Sequence, residues 1–239
     1  MTTQRIETRL RKSSTSALTA VVALTGLALL TAGTPAAAAS PSPRVQPAAA
    51  QLVAAQSAAA PTASYACRAD TKFGKHTFSL KQGVNAKAPA TVKAGSGFTI
   101  AVELKPGSLP AEVRGFKLKE VRDLTLRIPV PNNTWFISGR LIGGSGLGST
   151  PTLEHSGRVI TIRLGGPVPG GSAYQLPILS VRLKAGASGR VVKTSLKGTS
   201  FDDPGLTLTA AIKWKFITIK SPVACYPDTN PTLSRTQIR

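Results

Sequence analysis

The sequence predicts an all-β protein: an antiparallel β-sandwich, immunoglobulin-like, preceded by a signal peptide and a disordered linker. Three observations predict it. Apolar residues recur at every second position in one run after another, the pattern of half-buried strands. Gly and Pro, 22 and 18 of 239 residues, gather between those runs as turns. The chain opens on a basic stretch, an apolar stretch and a block of small residues, the three-part layout of an export signal.

The export signal is assigned to residues 1–39. Arg5, Arg9, Arg11 and Lys12 form its basic start, residues 17–30 its apolar run, and Ala37, Ala38 and Ala39 its cleavage site. The apolar run is shorter than the ~20 residues a membrane-spanning helix needs. Thr34 stands where a lipoprotein would carry its acylated cysteine, and Leu10 separates Arg9 from Arg11. Neither the lipoprotein nor the twin-arginine route therefore fits. No second apolar span follows, so no transmembrane segment is expected after signal removal. Residues 40–64 hold Ala, Pro, Ser and Gln with Arg44 as the single charge. They read as a disordered linker with nothing to bury.

Residues 65–239 carry the alternation and are assigned to the sandwich. Phe98, Ile100, Val102 and Leu104 form one apolar stripe, and Leu124, Leu126, Ile128 and Val130 another. Ile160, Ile162 and Leu164 follow, then Leu179, Val181 and Leu183, then Leu206, Leu208, Ala210 and Ile212. Gly/Pro turns separate them, at a spacing typical of sandwiches. Two small immunoglobulin-like domains are the alternative arrangement, although no linker divides the region. Residues 109–121 mix apolar and charged side chains without clean alternation and read as the one stretch with helical character.

Several segments carry a resemblance. Residues 124–131 (LTLRIPVP), 143–148 (GGSGLG), 165–172 (GGPVPGGS), 175–179 (QLPIL), 198–205 (GTSFDDPG) and 230–233 (NPTL) resemble a secreted actinobacterial β-sandwich family without established activity. More loosely, residues 92–100 (VKAGSGFTI) are similar to the opening of cohesin-like and other bacterial immunoglobulin-like modules. The resemblance implies an exported, envelope setting and supplies no catalytic residues.

Cys67 and Cys225 are the two cysteines. In an exported chain they are expected to pair as a disulfide. Closing so long a loop is worth up to about 5 kcal/mol. Two cysteines exclude a multi-cysteine metal site, and the absence of a C-x-x-C pair argues against redox chemistry.

Charge is the most informative functional feature. The chain has 30 basic and 10 acidic residues, a net +20. Removing residues 1–39 leaves 26 basic and 9 acidic, a net +17, so the bias belongs to the exported part. Arg127, Arg163, Arg182, Lys184 and Lys213 fall on outward strand positions. Lys215 continues the Lys213 phase, and Lys193 and Lys197 share one parity of another strand whose apolar face is less marked. These eight are the candidate polyanion-binding residues. If several adjoin on one sheet, they form a positive face for anionic wall polymer or lipid headgroups, with salt-sensitive binding. Cations on strands also protect sheet edges from aggregation. Both tryptophans, Trp135 and Trp214, share parity with apolar neighbours and are assigned to the core. That leaves no stacking platform, so no dedicated nucleic-acid binding is expected.

No catalytic constellation stands out, and none is assigned. His155, near Ser145, Ser149 and Ser156, and His76 are the residues on which an alternative, a secreted hydrolase, would depend. Residues 143–148 lack both the phosphate-loop and the nucleophile-elbow spacing, since Leu147 takes the last glycine's place. Asp202, Asp203, Asp228 and Asn230 are too sparse for calcium. Glu103, Glu112, Glu120 and Glu154 have no spacing that pairs two carboxylates. No cofactor and no metal are expected. The function read from the sequence is a secreted, non-enzymatic, cell-envelope or cell-wall-associated protein.

Overall fold

The alternating runs are strands, and their registers pair like with like. The computed structural model describes residues 61–72 and 74–239; the signal assigned to residues 1–39 and the linker as far as residue 60 lie outside the described residues. In chain order the strands are β1 (Thr62–Thr71), β2 (Gly74–Lys87), β3 (Thr91–Val92), β4 (Gly97–Leu104), β5 (Gly107–Ser108), β6 (Glu112–Val113), β7 (Phe116–Pro129), β8 (Thr134–Ile142) and β9 (Thr152–Ser156). They continue as β10 (Val159–Leu164), β11 (Val168–Pro169), β12 (Ala173–Tyr174), β13 (Ile178–Ala185), β14 (Val191–Thr194), β15 (Leu206–Trp214), β16 (Ile217–Thr229) and β17 (Ser234–Ile238). There is no helix among the described residues. The all-β, antiparallel class is the one expected.

Between β10 and β7, Ile160 faces Ile128, Ile162 faces Leu126 and Leu164 faces Leu124, while Thr161 faces Arg127. Between β13 and β4, Leu179 faces Val102, Val181 faces Ile100 and Leu183 faces Phe98. Each apolar pair lies on one face of its sheet, so a one-residue slip would turn the whole stripe to water.

The main sheet runs β8-β13-β4-β2-β1-β16-β15-β7-β10-β9. It curls until its last strand meets its first, and Phe136 on β8 stacks on His155 of β9 with ring centroids 3.9 Å apart. The result is a curled, sandwich-like wall around one apolar core. β2 belongs to both halves of this wall. Its residues up to Gly83 pair with β1, and Val84–Lys87 pair with β4. A small sheet, β14-β17-β3, holds the one parallel pairing among the described strands, β17 with β3.

Two expectations are corrected here. The sequence places the end of the linker at Ser64, but β1 starts at Thr62 and Ala63 is fully buried. Residues 62–64 have linker composition, yet they pair with residues 81–83 of β2. Residues 109–121 are not helical; they contain β6 and the start of β7. Leu118, Val121 and Leu124 are spaced by three, which imitates a helix. The cause is that β7 breaks register with β15 twice, once around Lys119 and once at Asp123, whose φ is +53°. Each extra residue restores the inward direction of the next apolar side chain.

Cys67 and Cys225 are bonded, directly opposite each other on β1 and β16 with Cα atoms 4.1 Å apart. Both are buried.

Candidate apolar cavity and basic hairpin end

The strands β2, β1, β16, β15 and β7 turn an apolar face inward. On β1 this face carries Tyr65, Cys67 and Ala69; on β15 it carries Leu208, Ala210 and Ile212. Opposite partners share a face, so Phe78 and Leu80 of β2 join it against Cys67 and Tyr65. These side chains do not fill the space between them. A cavity of about 820 Å³ remains, walled almost entirely by hydrocarbon.

Tyr65, Leu126 and Leu164 at the closed side are 2% exposed. Phe78 and Phe116 are 39% and 42% exposed, which locates the opening. It lies between β6 and the first half of β2, whose outer edge pairs with no strand among the described residues. Arg114, in the tight turn from β6 to β7, spans this gap and donates from Nη2 to the Thr77 carbonyl oxygen at 2.9 Å. Glu112 and His76 also line the cavity near this gap. Burial in the apolar wall pushes the Tyr65 phenol far above its ordinary value, and Tyr174 is raised for the same reason.

Three hairpin turns, β1–β2, β6–β7 and β15–β16, stand side by side at one end of the wall. The β15–β16 turn is Lys215-Phe216, with Lys215 at φ +51° and Trp214 paired to Ile217. Phe216 is wholly exposed and Ile217 is 54% exposed. The outward positions beside them are basic: Lys213 lies directly opposite Lys117, Lys220 follows on β16, and Lys72 and Lys75 flank the neighbouring turn. Lys215 Nζ lies 5.4 Å from the Trp214 ring centroid.

The eight candidate polyanion-binding residues do not form one face. Lys213 and Lys215 belong to the hairpin end. Arg127 and Arg163 lie on β7 and β10, and Arg163 is ion-paired with Glu154 at 3.1 Å. Arg182 and Lys184 are on β13 in the other half of the wall, and Lys193 faces Arg235 in the small sheet. Lys197 is half-buried and bonded to Asp203 at 2.8 Å, which holds the Asp203 carboxyl below its ordinary value. Parity assigned the outward direction of these residues but not the strand order that separates them. Lys75, Lys117 and Lys220, on β2, β7 and β16, are not among those eight residues. Lys213 next to Lys215 was the available signal for the hairpin end.

The tryptophan assignment is also corrected. Trp135 is 59% exposed, directly opposite Lys184. Ile137 is bulged out of register between residues that pair with Arg182 and Leu183. Trp135 therefore does not inherit the inward direction of Leu141. Trp214 is half-buried and lines the cavity rather than the filled core.

Of the other chemistry-bearing residues, the carboxylates at Glu103, Glu120 and Glu154 and the amide of Asn230 are tied up in structure. His155 is exposed on β9, and neither its side chain nor that of His76 makes a hydrogen bond among the described residues. Glu103, Glu120 and Glu154 are each ion-paired, with Lys105, Arg122 and Arg163. Asn230 brackets the Leu196 backbone, accepting from its N–H at 3.0 Å and donating to its carbonyl oxygen at 2.8 Å. Among the described residues no cluster could hold a metal ion, and no helix is long and apolar enough to cross a membrane.

No family model and no curated protein matches this chain. One solved structure does: it is titled "Putative membrane anchored protein", from Corynebacterium diphtheriae, with a TM-score of 0.51 and 20% sequence identity. The match covers 75% of this chain and 37% of that one, so this chain spans little more than a third of its length. The likeness is one of fold.

Proposed function

We propose that the exported chain is a non-enzymatic cell-envelope protein that engages an anionic lipid surface through its hairpin end. The observation that carries this reading is Phe216, wholly exposed on a turn it shares with Lys215, beside exposed Ile217 and the Lys213–Lys117 pair. A soluble protein gains nothing from an aromatic ring held out in water. Burying one is worth roughly 1.5–3 kcal/mol, and aromatic rings flanked by lysines suit the boundary between water and lipid. Each cation near an anionic membrane adds about 1 kcal/mol. The likeness to a "Putative membrane anchored protein" of Corynebacterium diphtheriae and the disulfide of this chain support an envelope setting.

Co-sedimentation with lipid vesicles tests the proposal. The exported chain should bind vesicles containing phosphatidylglycerol, release them as salt rises, and ignore pure phosphatidylcholine. Phe216→Ser should weaken binding roughly tenfold or more, and Lys213→Gln with Lys215→Gln should weaken it further. Retention on isolated cell wall without vesicle binding would assign the basic end to a wall polymer. Retention on neither, at low salt, would remove the reading.

A second surface has one observation in its favour. Trp135 opposite Lys184, with Arg182 on the same strand, supplies a stacking ring beside cations. Salt-sensitive binding of oligodeoxythymidine that Trp135→Ala abolishes would establish a single-stranded polyanion as its ligand.

A further inference from the structure

We propose that the cavity inside the curled sheet is a binding site for the hydrocarbon chain of an anionic amphiphile, which enters through the gap spanned by Arg114. Protein interiors are close-packed, with few voids larger than a water molecule. Here about 820 Å³ stays open between the inner faces of the wall, a volume in the ~300–1,000 Å³ range of small-molecule sites. The Cys67–Cys225 bond lies within its wall and ties together two adjacent strands that line it.

The chemistry of the wall selects the ligand. Leu80, Leu208, Ile212 and Ile219 offer no hydrogen bonds, so a sugar or a polar peptide would lose its hydration without compensation. Polar side chains are few on this wall, among them Tyr65, Gln82, Tyr174 and Ser221. Ser221 differs in its bonding. Its side chain is fully buried on the cavity wall, and its Oγ has no hydrogen-bond partner among the described residues. Buried hydroxyls are ordinarily paired; this one is covered by its neighbours and is not itself a ligand contact.

Cationic character enters at the opening, where the Arg114 guanidinium lies across the gap with Phe78 and Phe116 exposed beside it. Glu112, the carboxylate on β6 just before this turn, lies directly opposite Lys117. A ligand that matches both parts has an apolar tail and an anionic head. Arg114 already donates to the Thr77 carbonyl, and its remaining N–H groups are available to an anion.

This inference stands on the cavity and not on the hairpin surface, and the experiment separates the two. The exported chain is titrated with cis-parinaric acid, and unlabelled saturated fatty acids compete for it. Affinity should rise about fourfold for each added methylene until the cavity is full, the equivalent of ~0.8 kcal/mol per buried group. Palmitate should compete better than hexadecanol, and Arg114→Gln should erase that preference. Ala210→Trp, which places a large ring in the cavity, should abolish probe binding, whereas Phe216→Ser should leave it unchanged even where vesicle binding is lost. If Ala210→Trp fails to fold, the chain-length series on the unaltered protein decides. Affinity independent of chain length, or no competition by any fatty acid, would overturn the proposal. So would a dimer whose formation excludes the probe, since it would give the cavity to a second copy of the chain.

Discussion

Arg114 Nη2 and the Thr77 carbonyl oxygen, 2.9 Å apart, join the β6–β7 turn to the first half of β2, whose outer edge pairs with no strand among the described residues. The two residues are 37 positions apart in sequence. Arg114 itself sits at φ +51°, a left-handed conformation uncommon for a non-glycine residue, and Gly115 follows it at φ +79°. The turn geometry thus aims the guanidinium across the opening instead of along the strand. Arg114→Ala should lower folding stability by only about 1 kcal/mol, because the bond is exposed. Hydrogen exchange should nevertheless speed up in residues 112–117 while the strands around β10 and β13 keep their protection. Unchanged exchange in that turn would show that the contact does not hold it.

The disulfide closes a loop of 158 positions. Chain entropy alone assigns it up to about 5 kcal/mol, with native-state relaxation reducing that figure. Cys67→Ala combined with Cys225→Ala should shift the urea midpoint downward by a large step, with the slope of the transition reporting a more expanded unfolded chain. A shift of less than about 1 kcal/mol would mean that packing at the cavity wall replaces the bond.

The buried Tyr65 phenol gives stability a dependence on alkaline pH. Its value in the folded protein lies far above the ordinary 10.0. Above that ordinary value the unfolded chain loses this proton and the folded chain keeps it. Stability is therefore fully present below about pH 10 and falls as pH rises, by about 1.4 kcal/mol per pH unit from this one group. Tyr65→Phe should flatten that decline relative to the parent protein in matched denaturant titrations. An identical decline in both would place the titrating group elsewhere.

Much of the fold was legible in the sequence because its strands obey a period of two. The stripes at Phe98–Leu104, Ile160–Leu164 and Leu179–Leu183 lie inside β4, β10 and β13 as expected. Alternation failed where the backbone carries an extra residue. The bulges of β7 turned a strand into an apparent helix, and the bulge at Ile137 turned an exposed tryptophan into an apparent core residue. The cavity was not legible at all. A period-two pattern says which face a side chain takes, but not whether a second layer fills the space above it. The basic hairpin end was half legible: Lys213 and Lys215 were singled out, whereas Lys117 could join them only once β7 was known to lie beside β15.

The shared strand β2 gives the wall a mechanical property. Its first half borders the cavity and its last residues, from Val84 to Lys87, are locked to β4. A force that spreads the cavity must pull on the same continuous backbone that anchors the opposite half. Residues 74–87 thus join the two halves of the wall by covalent chain as well as by hydrogen bonds.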